Sequence, residues 1–210
     1  MQQRDAEWMA VRAGKWSASA AADLMAKTKS GPAAARANLV ARIAVERLTG
    51  RQVEGGYRNA AMDRGIALEP EALAAYTFET GAAVEECAWA EHPTIANVGC
   101  SPDGLVGDDG LVEIKCPDAM ARHLDALLSG EHAQTYRWQL QFQLFVTSRA
   151  WVDAGSYDPR WPTEHQLAIV RVQRDEKAIA EIVAEIAAAE REVETALARL
   201  RALRERKEAA

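Results

Sequence analysis

The stretch Gly99 to Pro117, GCSPDGLVGDDGLVEIKCP, restricts this chain more than any other. Two Asp between Gly107 and Gly110 signal a hairpin turn, and Leu111, Val112 and Ile114 give the second strand a buried character. Pleating sends Glu113 and Lys115 to one face and Ile114 to the other. The turn folds Asp103 back beside Glu113. Two adjacent carboxylates repel unless something cationic lies between them, and hard oxygen donors suit Mg²⁺ or Mn²⁺ rather than zinc. A metal there would lower the pKa of a bound water and clamp a phosphoryl oxygen, with Lys115 orienting the nucleophile or neutralising developing charge. An ordinary hairpin with a cross-strand Glu–Lys pair has the same spacing. The Ser101-Pro102-Asp103-Gly104 turn and the buried strand favour the site.

At 210 residues the chain is long enough for one domain, residues 1–210, with a real core. No apolar run approaches the ~20 residues that span a bilayer, and MQQRDAEWM lacks a signal-peptide core, so the expected location is cytoplasmic, with no membrane partner. Cys87, Cys100 and Cys116 show no CxxC spacing and are expected as buried thiols in strands. His92, His123, His132 and His165 are scattered without metal-ligand spacing. The net charge of −6 hides a division: residues 1–60 carry ten Lys or Arg against five Asp or Glu, and the remainder is strongly acidic. A basic face on an acidic protein can still meet phosphate, although charge alone equally fits a solvated surface.

Along the chain, a helix is predicted over Arg4–Val11, and a second, capped by Ser17 or Ser19, runs through Met25. A third covers Ala33–Leu48 with Gly50 at its C-cap. A fourth covers Asn59–Thr80, interrupted at Pro70, which puts Glu69 at a kink or first turn. There Glu69 either reaches a metal-bound water or serves the helix dipole. Strands are predicted at Ala83–Ala90 and Thr94–Cys100. After the hairpin come a helix Ala119–Leu128 capped by Asp118, a helix Gln134–Val146, and strands Ala150–Ser156 and Gln166–Val172. Gln139 and Gln141 lie close to a buried face; they satisfy core backbone groups, or one reaches the site. A long amphipathic helix, Asp175–Glu208, closes the chain and packs on its own domain or on a neighbouring subunit.

The order of elements resembles the restriction-endonuclease-like core, an α/β (α+β) fold with a central mixed sheet flanked by helices, here with a long C-terminal helix. Pro102-Asp103 and Glu113-Ile114-Lys115 supply its PD-(D/E)xK residues. The resemblance narrows to the phage lambda exonuclease and YqaJ-like viral recombinase family. Its pieces recur in order: Arg12-x-Gly14 with Ser17-Ala18-Ser19, Gly65 with Glu69, Cys100 to Leu105, Glu113-x-Lys115-Cys116-Pro117, Gln139-x-Gln141, Tyr157-Asp158-Pro159-Arg160 and Arg174-Asp175-Glu176-Lys177.

That resemblance implies a 5′ to 3′ exonuclease that digests one strand of linear double-stranded DNA from a 5′-phosphorylated end. It would release mononucleotides and leave a 3′ strand for phage-type recombination. Two Mg²⁺ per active site are implied, with Mn²⁺ as a substitute, on Asp103, Glu113 and the Ile114 carbonyl. Lys115 matches the catalytic lysine, Glu69 an acidic helper, and Gln141 the site glutamine, with Gln139 as the alternative register. Arg12, Ser19 and Ser101 match the 5′-phosphate pocket. The implied partners are DNA ends, a single-strand annealing protein and further copies of the chain in a trimeric ring, in a bacterial host cell with phage or prophage origin open. The competing readings are an endonuclease or nickase on the same core, and a catalytically idle DNA-end-binding subunit.

Overall fold

The computed structural model describes residues 1–29, 31–53 and 60–208. Its centre is a mixed sheet in the spatial order β10 (Leu167–Gln173), β9 (Trp151–Tyr157), β8 (Gly110–Lys115), β7 (Gly104–Val106) and β4 (Val84–Glu85). The predicted hairpin is β7–β8, with Gly104 opposite Val112 and Val106 opposite Gly110. β8 and β9 run parallel, which requires a crossover. The helices α5 (Met120–Ser129), α6 (His132–Thr135) and α7 (Arg137–Thr147) supply it.

Helices cover both faces of β8, so Leu111, Val112 and Ile114 are all buried although they point to alternate faces. On one face Val112 and Ile114 pack with Ala72 and Tyr76 of α4 (Ala60–Thr80) and with Tyr157. On the other, Leu111 packs with Leu140 and Leu144 of α7 and with Val152 and Ala154. Glu113 shares the Leu111 face. Each leucine buried there contributes about 1.5–3 kcal/mol, enough together to hold in place a carboxylate whose desolvation costs several.

A second small sheet has β6 (Val98–Cys100) between β1 (Trp16–Ser17), parallel to it, and β5 (Ala90–Glu91), antiparallel. It leans on α2 (Ala21–Met25), α3 (Ala34–Thr49) and α8 (Glu176–Glu208). The stripe Ile179, Ile182, Ile186, Val193 and Leu197 of α8 is buried in that core, so the long helix packs on its own chain over most of its length. No described helix is long and apolar enough to cross a membrane.

Several local expectations are corrected. The strand predicted over Ala83–Ala90 is two short strands in different sheets, β4 and β5, because the chain leaves one sheet for the other between them. Tyr136, at φ −101° and ψ 13°, divides the helix expected over Gln134–Val146 into α6 and α7. Neither Ser17 nor Ser19 caps α2; a 3₁₀ turn, Ala18–Ala20, intervenes. Ala119, not Asp118, occupies the N-cap of α5 and makes no side-chain cap. α4 is helical through Pro70, so Glu69 lies inside a helix rather than at its first turn, and Asn59 lies outside the described residues. Of the cysteines only Cys100 is in a strand and buried; Cys87 and Cys116 are half-buried in connections.

Candidate active site

The site grows from the unequal lengths of the hairpin strands. β7 pairs with β8 only as far as Val112, so Glu113 to Lys115 extend beyond their partner. Asp103, one residue before β7, fills the gap: its Oδ2 accepts a hydrogen bond from the Ile114 N–H at 2.7 Å. A strand residue directs its N–H and C=O to the same side, so the Ile114 carbonyl also faces Asp103. Gly104 permits this closure. A Cβ there would lie 2.1 Å from Val84 Cγ1.

Glu113 is buried and fully engaged. Its Oε1 accepts from Lys115 Nζ at 2.5 Å and from Gln139 Nε2 at 2.6 Å, and its Oε2 accepts from Gln143 Nε2 at 2.6 Å. Lys115 Nζ also lies 5.1 Å from the centre of the Tyr136 ring. Burial, and then the charge of Glu113, push the Asp103 carboxyl well above its ordinary range. Burial alone would lower Lys115, but the charges of Glu113 and Asp103 outweigh it and raise the ammonium above its usual value. Glu69 stands close enough to add its like charge to Asp103, and its carboxylate is paired with Arg4, which adopts a left-handed φ of 74°.

One turn of chain away lies a basic pocket. Arg12 donates from Nη1 to Ser101 Oγ at 3.3 Å and from Nη2 to Ser19 Oγ at 3.1 Å. Its guanidinium carbon lies 4.0 Å from the Trp8 ring centre and 5.4 Å from that of Trp89. Trp8 Nε1 donates to Ser101 Oγ at 2.9 Å, and Ser101 Oγ donates to the Ala88 carbonyl at 2.6 Å. Burial, with the charge of Arg42 second, lowers the Arg12 pKa to about 10. Arg12 Nε is buried with no hydrogen-bond partner among the described residues.

The structure therefore brings Asp103, Glu113, Lys115 and Gln139 into direct or one-residue contact, with Glu69 alongside, and it joins Arg12, Ser19 and Ser101. It does not bring Gln141 to them. Gln141 donates to the Gln173 carbonyl at 2.8 Å and accepts from the Asp175 N–H at 2.9 Å, tying α7 to the start of α8. The helical period explains this: Gln139 and Gln143, four apart, share a face, and Gln141 lies across the helix. Sequence reasoning did not select Gln143, Tyr136, Trp8 or Trp89. The spacing of Gln143 from Gln139 was the available signal for the first.

The donor set fits a hard divalent ion. Two acidic side chains, Asp103 and Glu113, are buried close together, and the Lys115 ammonium hydrogen-bonds to Glu113. A backbone carbonyl faces the same gap. Among the described residues no group of three or more His, Cys, Asp or Glu is placed to hold a metal ion.

An acid before a short strand, an Glu-x-Lys on its neighbour and a mixed sheet clasped by helices together define a PD-(D/E)xK nuclease core. The chain belongs to the YqaJ-like viral recombinase family, whose domain matches residues 7–150. Among solved structures, it is similar to an alkaline exonuclease, LHK-Exo, from Laribacter hongkongensis, at 44% identity over 98% of this chain and 100% of that one, with a TM-score of 0.86. The complex of LHK-Exo with dAMP matches at 44% identity, the same coverage and a TM-score of 0.87. A phage-related exonuclease from Haemophilus somnus 129PT shares the fold, with a TM-score of 0.72 at 16% identity over 89% of this chain and 96% of that one. No curated protein matches the chain.

Proposed function

We propose that this chain is a divalent-metal-dependent 5′ to 3′ exonuclease acting on the ends of double-stranded DNA. Nuclease class rests on the kinship with LHK-Exo and on the motif residues, the 5′ to 3′ polarity is what the family resemblance implies, and end dependence is supported by how two sites are joined. The observation that carries the reading is the Ser101-Pro102-Asp103 link: Ser101 belongs to the Arg12 pocket and Asp103 to the carboxylate site. A 5′-phosphate held at the first fixes the distance to the bond presented at the second.

In this reading Asp103, Glu113 and the Ile114 carbonyl hold Mg²⁺, with Mn²⁺ as substitute, and Glu69 assists a second ion. When bound, such ions make water a stronger nucleophile and draw charge from the phosphoryl oxygens. Arg12, stacked between indoles, grips the terminal phosphate with a charge it cannot surrender at neutral pH, and Ser19 and Ser101 supply hydroxyls. Lys115, hydrogen-bonded to Glu113, orients the nucleophile or neutralises developing charge. Gln139 holds the outer oxygen of Glu113 in place. Partnership with a strand-annealing protein, a trimeric ring and an origin in a phage or prophage belong to the same reading.

The test is digestion of linear duplex labelled separately at its 5′ and 3′ ends, with Mg²⁺, beside a closed circle. Early release of 5′-labelled mononucleotide with the circle intact is expected. Cutting of the circle would replace this reading with an endonuclease, and absence of cleavage with either metal would replace it with an end-binding subunit.

A further inference from the structure

Gln143 is a buried polar residue that the proposed chemistry leaves half explained. It is fully buried, and its Nε2 donates to Glu113 Oε2 at 2.6 Å. An ionised carboxylate only accepts, so this contact fixes which amide atom faces Glu113. The remaining Oε1 is buried with no hydrogen-bond partner among the described residues. An unmet acceptor at that depth is a standing cost, which a methionine of similar volume would avoid.

The two oxygens of Glu113 are also held differently. Oε1 is shared by Gln139 and Lys115, which are half-buried. Oε2 accepts, among the described residues, from Gln143, which is fully buried on α7 along with Leu140 and Leu144. We propose that Gln143 is a positioning residue for metal binding: it fixes the inner oxygen of Glu113, and that contact is what a buried amide with an unmet Oε1 supplies over an apolar side chain. The proposal rests on the reading of Glu113 as a metal ligand.

The experiment is calorimetric titration of Mn²⁺ into the DNA-free protein, with Mg²⁺-dependent cleavage and the KM for DNA ends measured alongside. Partners that orient a ligand typically carry ten- to a hundredfold in metal affinity, so Gln143→Met is expected to weaken Mn²⁺ about tenfold or more. The Mg²⁺ concentration for half-maximal rate should rise in parallel, with KM for DNA unchanged. Gln143→Asn, which withdraws the amide by one methylene, is expected to lie between, and it carries the test if the Met variant does not fold. Gln141→Met removes an equally buried glutamine from the opposite side of α7 and reports what lost packing alone does to Mn²⁺ affinity. Parent-like Mn²⁺ affinity in the Gln143 variants, or an equal loss in Gln141→Met, would overturn the proposal. Glu113→Gln separates the two levels: if it too binds Mn²⁺ as the parent does, the metal reading of Glu113 falls, and this proposal with it.

Discussion

Asp158 is the perturbation with the clearest consequence outside the carboxylates. It is fully buried, and its carboxylate accepts from Arg64 Nη2 at 3.1 Å, from Arg160 Nε at 2.8 Å and from Arg160 Nη2 at 2.7 Å. The two arginines then reach onward: Arg64 donates to the Pro117 carbonyl at 3.0 Å and Arg160 to that of Asp118 at 2.7 Å. Asp158 thus organises a clamp on the chain immediately after Lys115. Asp158→Asn keeps the shape, removes the charge and turns an amide donor toward two donors. Breaking a buried pair costs 3–5 kcal/mol; both arginines here keep carbonyl partners and are partly exposed, so the expected loss is about 2–3 kcal/mol. At this size that lowers Tm by roughly 5–10 °C. Burial works to raise the Asp158 pKa, but the hydrogen bonds and charge of Arg160, with Arg64, hold it below the ordinary value. A depressed carboxylate contributes stability above its unfolded pKa of about 3.9 and loses it as pH falls through the folded value. The Tm gap between parent and variant should therefore be full at pH 7 and close below about pH 4. With the clamp loosened, kcat should fall while KM for DNA ends holds. A variant with parent Tm at pH 7, or a gap that persists unchanged into strong acid, would refute the reasoning.

Other predictions follow from the same geometry. Asp103→Asn should abolish cleavage yet stabilise the metal-free protein. Burial and Glu113 raise the Asp103 pKa, so its stabilising effect is full below about pH 4 and is lost as pH rises through the raised value; thermal melts in chelator at pH 8 should favour the variant, and a lower Tm would count against the site's electrostatics. Arg12→Lys should reduce the preference for 5′-phosphorylated over hydroxyl ends by roughly ten- to a hundredfold, since lysine loses both the fork and the stacking; competition between the two substrates measures it, and an unchanged ratio would remove Arg12 from the pocket. Gly104→Ala should cost about 1–3 kcal/mol through its contact with Val84, and Val84→Ala should recover part of that in denaturant titrations of the double variant.

What the sequence disclosed and what it concealed divide along the range of the interactions. The hairpin, its turn and the convergence of Asp103, Glu113 and Lys115 follow from pleating and a few glycines, all within one short stretch. The amphipathic stripe of α8 is equally local. Periodicity does not say where cover ends, however: Leu200 and Leu203 continue the stripe past Leu197 and are about half exposed, at 47% and 52%. The glutamines show how a motif can mislead where a period does not. Gln139-x-Gln141 reads as a pair, but on a helix the partner of Gln139 is Gln143, and strand-like alternation has no meaning there. The pieces Tyr157-Asp158-Pro159-Arg160 and Arg174-Asp175-Glu176-Lys177 were visible as text without a role. The first holds the chain after Lys115, and in the second Asp175 caps α8 through the N–H groups of Lys177 and Ala178. Arg4 and Glu69, 65 positions apart, meet only because α4 lies across the β8 end of the sheet, and no local rule connects them. Chemistry-bearing residues are thus legible where one hairpin carries them. The partners that tune them arrive from distant helices, and only packing can reveal those.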